Sequence, residues 1–213
     1  MQIIMGVPRM MDKKELELKN DEELMRECKK GNMDAFSIIF TRYRRAIFAY
    51  IYQLVGDYGD VESITQEAFI RVFKYLDTYE YPKKFSTWFY TIVRNLCIDR
   101  IKKMKKEREH VISDFIVYGK NTKSEFLKLL PDQTLTPQQI AHRNQRVQAV
   151  RDAIDELDPI YKEVITLFIL QKLPYSEITE ILDVPSGTLR SRVHHGLKKL
   201  REIMERKGIA FQG

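Results

Sequence analysis

Apolar residues recur at the three- and four-residue spacing of an α-helix along most of this chain, and this periodicity constrains the fold more than any other feature of the sequence. Glycine is scarce, at 9 of 213 residues, and no alternating apolar and polar run reaches a convincing strand length. Helical segments end at short turn signals such as Gly31-Asn32, Gly56 to Gly59 and Pro82. We therefore predict an all-α protein.

The helical signals form two blocks separated by a weakly patterned segment. We predict a small helical domain at 21–106, a flexible linker at 107–136 and a second small helical domain at 137–213, and we expect residues 1–20 to be a disordered extension. A connector of about 30 residues without periodicity is unusual inside one compact domain. Fully extended, ~27 residues would reach roughly 90 Å, so the linker could join two distant sites on one ligand.

Composition narrows the class of function. The formal net charge of +6 and a pI near 9.1 favour a polyanionic partner. No apolar run approaches the ~20 residues that cross a bilayer, and the chain begins with no secretory signal, so we predict a cytoplasmic protein without membrane insertion. We expect Cys28 and Cys97, which lack metal-ligand spacing, to be reduced packing residues.

The sequence gives no support for catalysis. It contains no glycine loop that would cradle a phosphate, no zinc-type spacing of His and Cys, and no nucleophile elbow. We therefore predict no enzyme activity, no catalytic residue, no metal site, no cofactor and no small-molecule substrate.

Residues 175–202, YSEITEILDVPSGTLRSRVHHGLKKLRE, have the outline of a helix-turn-helix. A short apolar-edged helix is followed by the tight connection DVPSG, and we expect Ser186 to cap the second helix. We expect Gly196 to permit close packing, since it lies beside the apolar stripe of that helix. The stripe comprises Leu189, Val193, Leu197 and Leu200.

The opposite face of this second helix is polar and basic. A helix of this kind can bury one side in its domain and insert the other in a major groove, where arginine pairs with guanine and Ser or Thr serve several bases. A solvated face on a bundle helix is the alternative. The predicted DNA-binding residues are Ser186, Thr188, Arg190, Ser191, Arg192, His194, His195, Lys198 and Lys199.

A second candidate surface lies in 83–103, KKFSTWFYTIVRNLCIDRIKK. Phe85, Phe89 and Ile92 follow core spacing, whereas Trp88 lies at the edge of that stripe, beside Thr91 and Asn95 on a helical wheel. Aromatic rings rimmed with positive charge suit unstacked bases of a single strand, although an ordinary amphipathic helix would share much of this pattern. The residues predicted to bind single-stranded DNA are Tyr81, in the loop just before this stretch, and Lys83, Lys84, Trp88, Thr91, Arg94, Asn95, Arg100, Lys102 and Lys103.

The helix predicted at 61–76 is acidic and polar at its start. Acids there complement the helix dipole, so a plain surface helix explains them as well as a protein-binding face does. The candidate binding residues are Asp60, Glu62, Gln66, Glu67, Phe69, Ile70 and Phe73.

Three segments, VPSGTLRSRVHHGLKKLRE, GDVESITQEAFIRVFKYLDTY and KFSTWFYTIVRNLCIDRIKK, resemble bacterial sigma factors of the sigma-70 family, in the extracytoplasmic-function (ECF) subfamily. The resemblance implies docking on core RNA polymerase, at the clamp of the largest subunit and the flap of the second-largest. It also implies reading of the duplex −35 promoter element, melting of the −10 element and control by an anti-sigma factor. Ser63, where aspartate is usual, and His195, where arginine is common, depart from the pattern.

A stand-alone helix-turn-helix regulator, whose first block senses a ligand or dimerises, is the alternative function. The helix-turn-helix by itself would allow it. The aromatic and basic helix argues against it, because a protein that binds only duplex DNA needs no stacking platform.

Overall fold

The computed structural model describes residues 12–110 and 147–209, here called the N-domain and the C-domain. All regular structure in these two ranges is helical, as predicted, and none of their helices has the length and apolar character to cross a membrane. The N-domain helices are α1 (Lys13–Glu17), α2 (Asp21–Lys29), α3 (Met33–Val55), α4 (Tyr58–Lys74) and α5 (Phe85–His110). The C-domain helices are α6 (147–155), α7 (Pro159–Ile165), α8 (Tyr175–Leu182) and α9 (Ser186–Arg206).

Two short segments of other helical types complete the architecture. A 3₁₀ turn, Leu76–Thr78, follows α4, and a π-helical segment, Thr166–Leu170, continues α7. The predicted start of the second domain at residue 137 and most of the linker lie outside the described residues.

Local chemistry sets the helix boundaries in the N-domain. Asn20 and Glu23 form a capping box at α2, in which each side chain accepts a hydrogen bond from the other residue's backbone N–H, at 2.8 and 3.0 Å. Gly56 ends α3 with a φ of +82°, a conformation that glycine adopts without steric cost. The side chain of Asp57 then accepts from the backbone N–H of Asp60 and caps α4.

The ordered chain begins earlier than the predicted boundary at residue 21. Residues 13–17 form α1, and the side chain of Leu16 is fully buried. Arg42 of α3 donates to the backbone carbonyl of Glu17 at 2.8 Å and to the carboxylate of Asp21 at 2.6 Å. A buried leucine and a bonded helix end therefore give structure to residues 13–17, which we expected to belong to a disordered extension. Residues 1–11 lie outside the described part.

The predicted N-cap role of Ser186 is wrong. Pro185 occupies the N-cap position, Ser186 is already the first helical residue, and no side chain caps α9. The proline has extended backbone angles that suit a residue preceding a helix. The Ser186 hydroxyl therefore remains at an exposed helix start.

Helix α5 supplies much of the N-domain core. Phe85, Phe89, Val93 and Cys97 recur every four residues and are fully buried. The rings of Phe85 and Phe89 contact aromatic side chains from α3 and α4, with ring centroids 5.1 Å apart for Tyr43–Phe85 and 5.0 Å apart for Phe69–Phe89. The packing role predicted for Phe85 and Phe89 is confirmed, and the face of α5 opposite this stripe is left for other contacts.

The C-domain core is built on α7 and α9. The buried side of α9 comprises Leu189, Val193, Gly196, Leu200 and Met204. A Cβ atom at Gly196 would lie 2.7 Å from Cγ1 of the buried Ile165. The expected close packing at Gly196 is confirmed, because only the absence of a side chain allows α9 to approach α7 this closely.

Gly196→Ala should therefore destabilise the C-domain. Overpacking of this kind costs about 1–3 kcal/mol, and the variant should melt several degrees lower by circular dichroism. The matched control is Gly187→Ala, since a Cβ atom at Gly187 meets nothing within 4 Å. Equal melting temperatures for the two variants would contradict this account of the α7–α9 contact.

Candidate nucleic-acid interface

The helix-turn-helix places one polar face of α9 in solvent. Asp183, at a φ of +52°, ends α8, and the connection through Pro185 leads directly into α9. Because Leu189 and Val193 are buried, the side chains on the other side of the helix point away from the domain. Exposed there are Ser186, Thr188, Arg190, Ser191, His194, His195 and Lys198, with Arg192 half-buried.

Lys199 differs from the other basic residues of α9. Its Nζ lies 2.6 Å from Oδ2 of Asp158 and 4.9 Å from the centroid of the Tyr161 ring. The hydrogen bond to Asp158 raises the pKa of Lys199. The structure thus ties this side chain to the start of α7, and the DNA contact of Lys199 stays a prediction.

The aromatic part of the second candidate surface is compact. Trp88 is half-buried, with its ring centroid 5.4 Å from that of Tyr79 and 6.0 Å from that of Phe85. Asn95 is exposed, whereas the Thr91 hydroxyl donates to the carbonyl of Thr87 at 2.8 Å. Trp88, Thr91 and Asn95 follow each other at intervals of three and four residues and therefore share one face of α5.

The predicted cations of this region fall into two groups. Lys83, Lys84, Lys102 and Lys103 are exposed, although Lys83 also pairs with Glu80 at 2.7 Å, Lys84 with Glu22 at 3.7 Å and Lys103 with Glu107 at 3.9 Å. Two arginines are half-buried and held by carboxylates of other helices, since Arg94 lies 2.8 Å from Glu163 and Arg100 lies 2.7 Å from Asp60. The Arg100–Asp60 ion pair joins α5 to the first turn of α4, so both residues, predicted as binding residues, have a structural partner.

The loop before α5 is held by α2. Lys29 donates to the carbonyl of Tyr79 at 2.6 Å, and the guanidinium carbon of Arg26 lies 3.5 Å from the ring centroid of Tyr81. Tyr81 is still 53% exposed, so one side of its ring is open to a ligand. The sequence reasoning missed Arg26 and Lys29, because nothing in local spacing connects α2 with a loop about 50 residues later.

Some candidate protein-binding residues of α4 are exposed, whereas others are buried or form ion pairs within the N-domain. Ile70 and Phe73 are 59% and 54% exposed, and Glu62 and Gln66 are exposed beside them. Phe69 is only 5% exposed and therefore belongs to the core. Glu67 forms an ion pair with Arg71 at 2.8 Å within α4.

Helix α3 extends the apolar part of this surface, which the sequence reasoning did not foresee. Met33 is 56% exposed and Phe40 is 37% exposed, while the ring of Phe36 lies 5.8 Å from that of Phe73. Contiguous exposed apolar side chains rimmed by polar ones mark interaction sites on soluble proteins. We call this surface the docking face; it comprises Met33, Phe36, Phe40, Glu62, Gln66, Ile70 and Phe73.

The two cysteines are free and buried, as expected. Burial raises the pKa of Cys28 to about 11 and that of Cys97 to about 12, so both thiols stay protonated at neutral pH. In the part of the chain that the structure describes, no group of His, Cys, Asp and Glu side chains is arranged to hold a metal ion.

Two helical domains, one with an exposed recognition helix and the other with an aromatic and basic helix, define a DNA-binding protein of the transcription initiation class. Residues 39–107 match the family model for sigma-70 region 2, and residues 147–200 match that for sigma-70 region 4. The chain is 34% identical over 178 residues to the ECF RNA polymerase sigma factor SigW of Bacillus subtilis (strain 168), an alignment that covers 84% of this chain and 93% of SigW. The chain belongs to the ECF subfamily of RNA polymerase sigma factors.

Other comparisons agree with this membership. The ECF RNA polymerase sigma-E factor of Escherichia coli (strain K12) is 28% identical over 187 residues, covering 88% of this chain and 93% of that protein. The fold of this chain is similar to that of the sigma factor RpoE in complex with the anti-sigma factor NepR from Bartonella quintana, with a TM-score of 0.63, 20% identity, and coverage of 80% of this chain and 96% of RpoE. It is also similar to CnrH in complex with the cytosolic domain of CnrY, with a TM-score of 0.61, 18% identity, and coverage of 87% and 97%.

The chain is therefore a transcription initiation factor that binds RNA polymerase and promoter DNA. The stand-alone regulator is not favoured, because its N-terminal block would sense a ligand or dimerise, whereas this N-domain matches sigma-70 region 2.

The division of the α5 cations leads to a test. For fork DNA bound by the polymerase holoenzyme, Lys102→Ala should reduce the steepness of log affinity against log salt concentration by about one. The reason is that an exposed lysine can contact one phosphate, and each phosphate contact contributes about one to this slope. Arg100→Ala should leave that slope nearly unchanged and lower the melting temperature instead, because it removes the ion pair with Asp60. A larger change in slope for Arg100→Ala than for Lys102→Ala would contradict this assignment.

Proposed function

We propose that this sigma factor reads the duplex −35 element with α9 and melts and holds the −10 element with α5 and the loop before it, in the cytoplasm and without catalytic chemistry of its own. The observation that supports this most is the pair of solvent-facing surfaces, one on each domain. The face of α9 suits duplex DNA, and the aromatic face of α5 suits single strands. Binding energy alone then drives strand opening.

The exposed residues of α9 divide by position. Thr188, Arg190 and Ser191 lie near the start of the helix, where a recognition helix meets base edges. Lys198 lies more than a turn further along and suits phosphates, which position the protein but carry no sequence information. We infer that Arg190 contributes most to base discrimination, because arginine can donate two hydrogen bonds to guanine.

On α5, Trp88 and the exposed Asn95 would contact the melted strand. Stacking of a base on an aromatic ring is worth about 1–3 kcal/mol, which compares with the few kcal/mol needed to extract a base from duplex DNA. Tyr81 would stack a base on its open side while Arg26 supports the other side of its ring. Exposed lysines around this face would follow the backbone.

The docking face would bind the clamp of the largest subunit of core RNA polymerase, and the C-domain would bind the flap of the second-largest. The docking face combines protruding Ile70 and Phe73 with the polar side chains of Glu62 and Gln66. RpoE from Bartonella quintana was solved with the anti-sigma factor NepR, and CnrH was solved with the cytosolic domain of CnrY. We propose an anti-sigma factor as a partner of this chain as well.

Run-off transcription with bacterial core RNA polymerase on a genomic promoter library tests the whole proposal. Wild-type protein should give promoter-specific transcripts that depend on its presence. Trp88→Ala should reduce transcription about 10-fold or more on duplex templates, a loss comparable to one stacked base, and much less on pre-melted templates.

The control is Tyr175→Ala, which truncates an exposed aromatic residue of the C-domain. It should transcribe duplex and pre-melted templates in the wild-type ratio. Absence of transcripts, together with tight specific binding of duplex DNA by the protein alone, would overturn the proposal and favour an autonomous regulator.

The docking face has its own test. Ile70→Asp should weaken binding of core polymerase at least about 10-fold, because a carboxylate would be desolvated in an apolar contact. Leu18→Asp is the matched control, since Leu18 is 90% exposed and lies outside the docking face. Affinity measured by fluorescence anisotropy should separate the two variants, and equal affinities would show that the docking face is not the contact.

A further inference from the structure

Three side chains of α2 contact the loop that joins α4 to α5. Glu22, Arg26 and Lys29 are four and three residues apart, so they share one face of α2. Lys29 contacts the start of the loop, Arg26 its middle and Glu22 its end. The loop, residues 75–84, therefore runs antiparallel to α2 along this face. We call these three side chains the α2 bracket.

The first two members of the α2 bracket hold the backbone and the exposed ring of the loop. The Lys29 ammonium donates to the carbonyl of Asp77 at 3.3 Å and to that of Tyr79 at 2.6 Å. The guanidinium carbon of Arg26 lies 3.5 Å from the ring centroid of Tyr81. A cation at this distance over an aromatic ring is attracted by the ring quadrupole, so Arg26 fixes the plane of the Tyr81 ring.

Glu22 holds the end of the loop. Its carboxylate accepts a hydrogen bond at 3.3 Å from the backbone N–H of Phe85, the first residue of α5, and lies 3.7 Å from the Nζ of Lys84. The Glu22 side chain is only 13% exposed. A carboxylate at this position satisfies an N–H at the helix start and complements the helix dipole. Glu22 therefore fixes the point at which the loop enters α5.

The loop is also closed on itself. The Tyr79 hydroxyl donates to the carbonyl of Lys83, and the backbone N–H of Lys83 donates to the carbonyl of Glu80 at 3.0 Å. The Tyr79 side chain is buried, with its ring centroid 6.1 Å from that of Phe85. The loop is thus stabilised from inside by Tyr79 and from outside by the α2 bracket, while Tyr81 is 53% exposed.

A loop held in this way can discriminate between bases. Stacking by itself tolerates every base, because every base has a π-face. Discrimination requires that the ring and the adjacent backbone keep one geometry, so that only some bases both stack and reach the polar groups of the loop. A loop that is already ordered also binds its ligand without a further entropy cost.

We propose that the α2 bracket sets the base selectivity of the loop toward the melted strand, an inference that rests on the proposed function. Glu22, Arg26 and Lys29 are positioning residues, which act on the loop and not on DNA. The ligand is a single unstacked base of the −10 element, bound on the open face of the Tyr81 ring. Side chains of α2 thus determine how strictly that base is chosen.

The test measures the affinity of the reconstituted holoenzyme for fork DNA. Each −10 base in turn is replaced by the other three bases and by an abasic site. At the position bound by the loop, wild-type holoenzyme should lose about 10-fold in affinity, which compares with the loss of one stacked base. Arg26→Ala should lose about 3-fold or less there, because its Tyr81 ring is no longer fixed. Losses at every other position should equal those of the wild type.

A conservative variant separates position from charge. Arg26→Lys keeps the positive charge but lacks the planar guanidinium that stacks on the ring. It should lose selectivity as Arg26→Ala does, and both should keep the wild-type dependence of affinity on salt concentration. Far-ultraviolet circular dichroism confirms that each variant is folded, and Arg26→Lys carries the test if Arg26→Ala fails to fold.

The second positioning residue has a matched control in the next residue of the chain. Lys29→Ala should also reduce selectivity, because the carbonyls of Asp77 and Tyr79 lose their donor. Lys30→Ala removes the same charge from a side chain that pairs with Glu27 within α2. It should keep the wild-type preference. An equal loss in both variants would assign the effect to charge and overturn the role of the α2 bracket.

A double-variant cycle shows whether Arg26 acts through Tyr81. The variant Arg26→Ala, Tyr81→Ala should lose no more selectivity than Tyr81→Ala alone, because the two residues then belong to one interaction. Additive losses would show that Arg26 acts independently of the ring. A salt slope lowered by about one in Arg26→Ala would show a direct phosphate contact. Either result would overturn the proposal.

Two further outcomes separate this inference from the proposed function. If the wild type is selective and Arg26→Ala and Lys29→Ala keep all its preferences, the α2 bracket has no such role and the proposed function stands. If wild-type holoenzyme shows no preference at any −10 position, the proposed reading of this element fails, and the role of the α2 bracket fails with it.

Discussion

The structure depends on the division of one helix, α5, into three stripes with different partners. Residues along an α-helix are about 100° apart, so Phe85, Phe89 and Val93 form one stripe, and Ser86, Tyr90 and Arg94 the next. The first stripe closes the N-domain core and the second contacts the C-domain. The third, with the half-buried Trp88 and the exposed Asn95, is the stripe on which we propose the DNA contact. Because all three stripes share one helical backbone, the orientation that buries the first stripe also fixes the directions in which the other two point.

Charge is distributed more selectively than the net value of +6 indicates. Arg94, Arg100 and Lys199 are each bound by a carboxylate within the described structure. Exposed cations such as Lys102 and Lys198 are therefore the ones that remain for a polyanion. Basic residues that look equivalent in the sequence thus divide into two groups. One group forms ion pairs within the protein, and the other is exposed and available to bind a polyanion.

Local sequence patterns predicted a large part of this arrangement. The periodicity of α5 and α9 identified their buried sides, and the small residue beside an apolar stripe correctly marked the close contact at Gly196. These features depend on neighbours within a few turns of one helix. The capping box at Asn20 is equally local, but we did not predict it, because we expected that residue to belong to a disordered extension.

The features that escaped the sequence reasoning join residues far apart in the chain. The stack of Arg26 on Tyr81, the contribution of α3 to the docking face and the contact of Gln53 with Asp155 have no local signal. Each depends on how separate helices are arranged in three dimensions. A single sequence contains the side chains for such contacts but does not state which of them will meet.

In the π-helical segment Thr166–Leu170, the number of residues in the turn matters as well as their identity. There the backbone N–H of Gln171 donates to the carbonyl of Thr166 at 3.0 Å, spanning five residues where an α-helix spans four. Deleting one residue from this turn would restore an α-helix and rotate everything after it by about 100° relative to α7. Gln171 and α8 would then point elsewhere. The relative orientation of the two domains is thus sensitive to insertions and deletions in this turn, even where every contact residue is kept.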